Sequence, residues 1–220
     1  MGQPALTNTA RGRFITVEGG EGAGKSTQMG LLMAALDRAG IAARRTREPG
    51  GSPGAEAIRA LLLGGANDRW DAWSEVFLFC AARRDHVTTV IEPALALGEW
   101  IVCDRFADST MAYQGYGRGL PLADLTALQR LTLGDLVPDL TLIFDLPVET
   151  GFARIGAREG AADRFERLDR GFHERLRDGF LKIAEEEPRR CAVIDASGDA
   201  AAVHRAVLIA MNARLGLNLT

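Results

Sequence analysis

The run Gly19-Gly20-Glu21-Gly22-Ala23-Gly24-Lys25-Ser26 fits the pattern G-x-x-x-x-G-K-[ST] at every position, and no other stretch restricts the possible folds as severely. Glycines at this spacing let successive backbone N–H groups converge on one point, and the helix that must follow aims its positive end there too. Such a concavity holds a phosphate chain, with the Lys25 ammonium on the outer phosphates and the Ser26 hydroxyl available to a magnesium ion. The context agrees: apolar Phe14 to Val17 reads as a strand, and Lys25 to about Arg38 as a helix halted at Gly40. Lys182 is the only other lysine, so a compact ammonium stands at Lys25 in a chain whose cations are otherwise arginines. Gly19 through Thr27 are therefore assigned to a nucleotide's phosphates.

The same strand-helix alternation continues. Ile41 to Thr46 reads as strand, Ala55 to Leu63 and Ala72 to Leu97 as helices, and Trp100 to Cys103 as strand. Leu122 to Leu133 reads as helix, Leu140 to Phe144 as strand, Val148 to Arg158 and Phe165 to Glu187 as helices, Cys191 to Ile194 as strand and Ala200 to Leu215 as helix. Strands written as continuous apolar runs belong to a parallel sheet covered on both faces, so the expected architecture is α/β: a P-loop NTPase fold with a five-stranded parallel sheet. Ligands of such sheets bind beyond the carboxyl ends of the strands. At 220 residues the chain suits one domain, taken as residues 13–220 after a flexible tail of residues 1–12.

Composition narrows the function. A net charge of −3 argues against stable nucleic-acid binding, so any anion recognition must be local. No apolar run is long enough to span a membrane, and Met1 to Thr9 lack the basic and apolar regions of a signal peptide. Cys80, Cys103 and Cys191 are few, odd in number and set in apolar runs, which fits buried thiols in a reducing cytoplasm. The chain has no Asn-Lys-x-Asp for guanine and no Asp-Glu pair after an apolar strand of the kind motor ATPases use, which leaves small-molecule kinases and nucleotide switches.

Three further segments bear on that choice. Thr46-Arg47-Glu48-Pro49-Gly50-Gly51 follows the second strand. Asp104-Arg105-Phe106 follows the third and continues through Thr110 to Tyr113-Gln114-Gly115-Tyr116-Gly117-Arg118-Gly119. An arginine-rich stretch runs from Arg154 through Arg158 to Arg164-Phe165-Glu166. On chemical grounds Asp104, ending a buried strand near the loop, can hold magnesium through water, and Arg105 can fork onto a phosphate. Phe79 and Arg83, four apart, share a helix face with Glu75 and His86, a polar flank away from the main apolar stripe of Trp73, Val76, Cys80, Val87 and Ile91. Small residues around Arg154 and Arg158 suit a mobile lid over about residues 154–166.

Together these segments resemble the thymidylate kinase family, in its bacterial pattern with basic residues in the lid, and the resemblance covers nearly the whole chain from about Phe14. It implies transfer of the γ-phosphoryl of ATP-Mg to dTMP. Lys25, Arg105 and Arg158 would be catalytic, and Arg154 and Arg158 would join the phosphate loop on ATP. Ser26 and Asp104 would serve the magnesium ion. It further implies that Arg105 and Arg59 grip the acceptor phosphate, Phe79 stacks on thymine, Arg83 donates to a ring carbonyl, and Thr110 and Gln114 meet the remaining base edge. Tyr113 would exclude a 2′-hydroxyl and Glu21 would meet the 3′-hydroxyl. A homodimer is also implied. Ala81-Ala82 stand where many members carry an aspartate before the arginine, so Arg83 is expected to lack a supporting carboxylate. The alternatives are a kinase for another deoxynucleotide or nucleoside, and a switch or partition regulator without an acceptor pocket.

Overall fold

The computed structural model describes residues 11–66, 68–156, 164–165 and 167–220. Among them all five expected strands form one parallel sheet: β1 (Phe14–Gly19), β2 (Ala43–Arg47), β3 (Trp100–Asp104), β4 (Leu140–Asp145) and β5 (Cys191–Asp195), in the order β2-β3-β1-β4-β5. From β1 the chain goes out to the edge strand β2, returns to β3 beside β1, and then crosses to β4 and β5 on the other side, so the crevice beyond β1 is the topological switch point at which such sheets take ligands. Asp104 pairs in register with both Val17 and Arg47, which brings the ends of β1, β2 and β3 to one edge.

β1 is buried along its whole length because it has a strand on each side and helices on both faces. β2 departs from the expected apolar pattern: its sequence is Ala-Arg-Arg-Thr-Arg, and Arg44 and Arg45 are exposed. As the edge strand it has no second neighbour, and arginines there also discourage pairing with another chain.

Helices α1 (Lys25–Arg38) and α9 (Ala200–Leu215) cover one face, where Met29, Leu32, Leu36, Val207 and Met211 pack on Ile15, Val17 and Leu142. Each such fully buried side chain contributes about 1.5–3 kcal/mol. On the other face lie α3 (Ala72–His86) with α4 (Glu92–Ala96), and α8 (Arg170–Glu186), whose Phe172, Leu176, Phe180 and Ile183 meet Ile143. The remaining helices are α2 (Pro53–Leu63), α5 (Ala107–Thr110), α6 (Leu122–Leu133) and α7 (Val148–Gly156). Cys103 and Cys191 are buried as expected, whereas Cys80 is only half-buried.

The helix expected as one piece from Ala72 to Leu97 instead widens into a π-helical turn at Val87–Ile91 just ahead of Pro93, which has no N–H to give one turn back. A second helical stretch unmarked in the sequence, α5 running on through π-helical Met111–Gly117, tolerates its glycines because α8 presses on it. A Cβ on Gly117 would lie 2.6 Å from the Phe172 ring. α8 starts five residues later than expected, at an Asp169 cap that accepts from the Phe172 N–H at 2.9 Å, which leaves Phe165 in a turn. Residues 1–10 of the expected tail lie outside the described residues, while Gly12 N already donates to Leu95 O at 2.8 Å. Among the described residues no helix is long and apolar enough to cross a membrane.

Candidate active site

The phosphate loop leaves β1 at the switch point and closes on α1. Gly24 caps that helix with a left-handed backbone (φ 82) and no side-chain hydrogen bond, and the first turn contains no acid, so the helix presents its unpaired N–H groups outward. Gly22 (φ 71) must lack a side chain, since a Cβ would come within 2.4 Å of the Gly151 carbonyl oxygen on α7. Lys25 folds back to donate to the carbonyls of Gly19 (3.0 Å) and Gly20 (2.7 Å). Burial and then the neighbouring Arg105 push its ammonium down to about 8 against the opposing pull of Glu21, Asp104 and Glu18. An ammonium short of compensating charge is suited to a polyanion. Ser26 and Thr27 are exposed at the mouth of the same cavity.

Beyond β3 the chain turns sharply at Arg105, the one described non-glycine residue with positive φ (66°), a conformation that costs roughly 1–2 kcal/mol. Glu18, buried one residue before the loop, holds this turn: its carboxylate accepts from Phe106 N at 2.7 Å and from Ser109 Oγ at 2.6 Å. Burial, reinforced by Asp108, raises its carboxyl to about 7. The strained turn aims Arg105 back at the loop. Its Nη1 donates to Gly19 O at 3.0 Å, its Nη2 to Glu21 Oε1 at 2.6 Å, and its guanidinium lies 5.0 Å from the Tyr113 ring centroid. The Tyr113 hydroxyl donates to the same Glu21 oxygen at 2.5 Å. Burial alone would raise the Glu21 carboxyl, but Arg105, Lys25 and the Tyr113 hydroxyl outweigh it and hold the group down to about 2. Burial likewise disfavours charge on Arg105, and Glu21 overcomes it, so the guanidinium is raised above its ordinary value.

Deeper in, Arg83 is fully buried and held by three bonds: Nε to Glu48 Oε2 (2.6 Å), Nη1 to Thr110 Oγ1 (3.0 Å) and Nη2 to Phe106 O (3.0 Å). The expectation that Arg83 lacks a carboxylate is therefore corrected: Glu48 supplies it from the β2–α2 turn instead of the helix itself. Glu48 is steadied in turn by His86 Nδ1 at 3.0 Å, whose Nε2 meets Thr46 Oγ1 at 2.7 Å. The polar flank of α3 consequently faces inward. Glu75, Arg83 and His86 are buried, while Trp73 and Cys80 of the supposed core stripe are only half-buried. Phe79 sits 6.1 Å from Phe165, which stands edge-on to Tyr113 at 5.6 Å, so three aromatic rings wall one pocket. Gln114 Nε2 donates to Glu75 at 2.8 Å, and Arg59 Nη1 to Pro49 O at 2.7 Å.

One cavity of about 370 Å³ joins these parts, running from the phosphate loop (Glu21 to Thr27) past Asp104 and Arg105 to Arg59, Phe79, Arg83, Thr110, Tyr113 and Gln114. Gly19 and Gly20 take part through their carbonyls. Arg154 borders the cavity and donates to the carbonyls of Ala196 (3.1 Å) and Ser197 (3.3 Å). Arg158 lies outside the described residues, as does most of the expected lid. Arg164, grouped in the sequence with the arginines facing ATP, is buried instead and ion-paired with Glu75, because a carboxylate enclosed in the fold must be neutralised. Glu18 carries no assignment from the sequence, and Glu48, Glu75 and Phe165 stand there only as members of their segments, without a role. An acid inside an apolar strand is the signal that marks Glu18. Among the described residues no cluster of three or more acids, cysteines or histidines could chelate a metal ion, yet Asp104 Oδ1 is buried without a hydrogen-bond partner, and Asp104 and exposed Ser26 line the same cavity. Two hard oxygen donors fit a magnesium ion that keeps waters and phosphate oxygens for its other positions.

Comparison with known proteins agrees with this geometry. The thymidylate kinase family model matches residues 17–207. Thymidylate kinase of Bradyrhizobium sp. (strain ORS 278) is 56% identical over 207 residues, covering 93% of this chain and 92% of the relative. That of Caulobacter vibrioides is 56% identical, covering 94% and 99%. The crystal structure of thymidylate kinase from Ehrlichia chaffeensis superposes with a TM-score of 0.72 at 36% identity, covering 90% of this chain and 98% of the other. On a family match of that extent and on that identity across almost the whole of both sequences, this chain belongs to the thymidylate kinase family.

Proposed function

We propose that this chain transfers the γ-phosphoryl group of ATP to dTMP, forming dTDP for dTTP synthesis. The observation that carries the reading is the continuity of one cavity from the uncapped N-terminus of α1 to a second pocket with its own arginines and aromatic walls. A nucleotide switch has no use for that second pocket.

The acceptor phosphate, with a second pKa of about 6, is largely a dianion at neutral pH, so no general base has to generate the nucleophile. Positioning and charge neutralisation supply the rate. Arg105 holds the acceptor phosphate in line, aided by Arg59. Its αL turn and the Glu18 clamp fix the approach, and Glu21 sets the orientation of its guanidinium. Lys25 leaves the loop carbonyls for the β- and γ-phosphates, whose charge holds its proton more firmly. Ser26 and Asp104 would hold a magnesium ion, which would supply positive charge to the phosphate chain. Arg154 and Arg158 complete the donor side, with adenine near the loop Asp195-Ala196-Ser197. Phe79 and Phe165 enclose the base, Arg83, Thr110 and Gln114 meet its edge, and Tyr113 blocks a 2′-hydroxyl. The protein acts in the cytoplasm as a homodimer.

A coupled assay of ADP release tests the function. Release rises strongly when dTMP is added and only weakly with ribonucleotide or purine monophosphates. An ADP release indifferent to dTMP would mean a nucleotide switch.

A further inference from the structure

Glu75 does not line the cavity, yet its carboxylate is fully enclosed directly behind the wall. Three donors converge on it from separate parts of the chain: Gln114 Nε2 at 2.8 Å, Arg118 at 3.2–3.3 Å, and the Arg164 guanidinium. Building on the kinase reading above, we propose that Glu75 is the positioning residue that sets which base the pocket accepts, by fixing the orientation of the Gln114 amide.

An amide has two unlike ends, and either can be presented by rotation about its last bond. Among the described residues the Glu75 oxygens meet only donors, two guanidinium groups and the Gln114 amide, so the carboxylate accepts from all three. The Gln114 NH2 must therefore face Glu75, which leaves the Gln114 carbonyl oxygen for the cavity that Gln114 lines, and Oε1 accepts from none of the described residues. A carbonyl at that place accepts from a pyrimidine whose N3 carries hydrogen, as in thymine or uracil. Against cytosine, whose N3 is an acceptor, it sets oxygen against a lone pair. Rejection of this kind, by an unpaired buried polar group, is far stronger than rejection by shape. Arg83 adds to the same choice, since Glu48, Thr110 and the Phe106 carbonyl fix it as a donor, suited to a ring carbonyl oxygen.

Glu75→Gln reverses the arrangement. Arg118 and Arg164 both still require an acceptor and take the one remaining oxygen at position 75, so the new NH2 faces Gln114 and turns its amide around. The experiment measures kcat and KM for dTMP and dCMP in the full-length enzyme. The expected result is a KM for dTMP raised about 10-fold with kcat within about 2-fold, and a dTMP-over-dCMP preference in kcat/KM reduced about 10-fold or more. A merely structural role would lower thermal stability and shift both substrates together. Gln114→Leu removes the amide itself and should lose the preference to the same degree, with no further loss in the double variant. A folded Glu75→Gln enzyme with the original preference overturns the proposal. So does a Gln114→Leu enzyme that keeps it, and this second result decides alone if Glu75→Gln does not fold. Failure of the kinase reading is distinct: the unaltered enzyme would then release no ADP in response to dTMP.

Discussion

Replacing Arg105 by alanine separates what that residue does for the fold from what it does for the acceptor. In the structure its guanidinium is paired with Glu21 at 2.6 Å, with side chains only 18% and 16% exposed. Removing one partner of an enclosed pair costs about 3–5 kcal/mol, and the residual exposure points to the lower end, about 3 kcal/mol. Glu21 keeps the Tyr113 hydroxyl and the field of Lys25, which limits the loss. The acceptor loses a forked, charge-assisted grip on its phosphate, two bonds of about 1.5–3 kcal/mol each, so its Kd should rise at least ~100-fold. ATP, bound on the loop, should lose less than ~3-fold. Arg105→Gly is the control: glycine accepts φ 66 without strain, so this variant should be no less stable than Arg105→Ala yet bind dTMP no better. Isothermal calorimetry with each nucleotide and a thermal scan of each variant provide the readouts. A dTMP affinity within about 3-fold of the unaltered enzyme would refute the reasoning.

Lys25→Ala should lower turnover by about 10²-fold or more with dTMP affinity little changed, checked by steady-state rates and calorimetry. Because burial holds Lys25 near 8 in the empty enzyme, kcat/KM for ATP should fall as pH rises through about 8, while kcat, with phosphates restoring the proton, should fall only at higher pH. A flat kcat/KM profile across that range would contradict it. Glu21, held at about 2 against an ordinary 4.5, contributes about 3 kcal/mol of stability that is present above pH 4.5 and lost as pH falls toward 2. Acid-unfolding curves of Glu21→Gln should lack that contribution. Tyr113→Ala should admit a ribonucleotide acceptor, read as a narrowed ratio of deoxy to ribo kcat/KM. Glu48→Gln, by loosening Arg83, should raise KM for dTMP about 10-fold with little effect on ATP, measured in the same rate assay.

The sheet was legible because every strand but the arginine-rich edge strand β2 is a short, mainly apolar run closed by a turn, and the loop motif fixed where β1 ends and α1 begins. Of the residues that line the cavity, those next to a strand end, such as Asp104 and Arg105, were legible as candidates. What escaped depends on partners distant in the chain. Glu48 and Arg83 meet across 35 positions, Glu75 and Arg164 across 89, and no local period reports such a meeting. Helix periodicity places Glu75, Arg83 and His86 on one polar flank away from the apolar stripe, but it cannot tell that their polar heads are satisfied inside. Phe165 was drawn into α8 by continuity of the pattern. The Asp169 cap, a few residues on, is the local signal that leaves it in the pocket.

On the proposed function, two anions are gripped separately and brought end to end in one cavity. A single-turnover experiment with γ-labelled ATP and dTMP tests it most directly. The expected outcome is label recovered in dTDP, abolished by Lys25→Ala and by Arg105→Ala. Label released as inorganic phosphate at the same rate with and without dTMP would contradict the account.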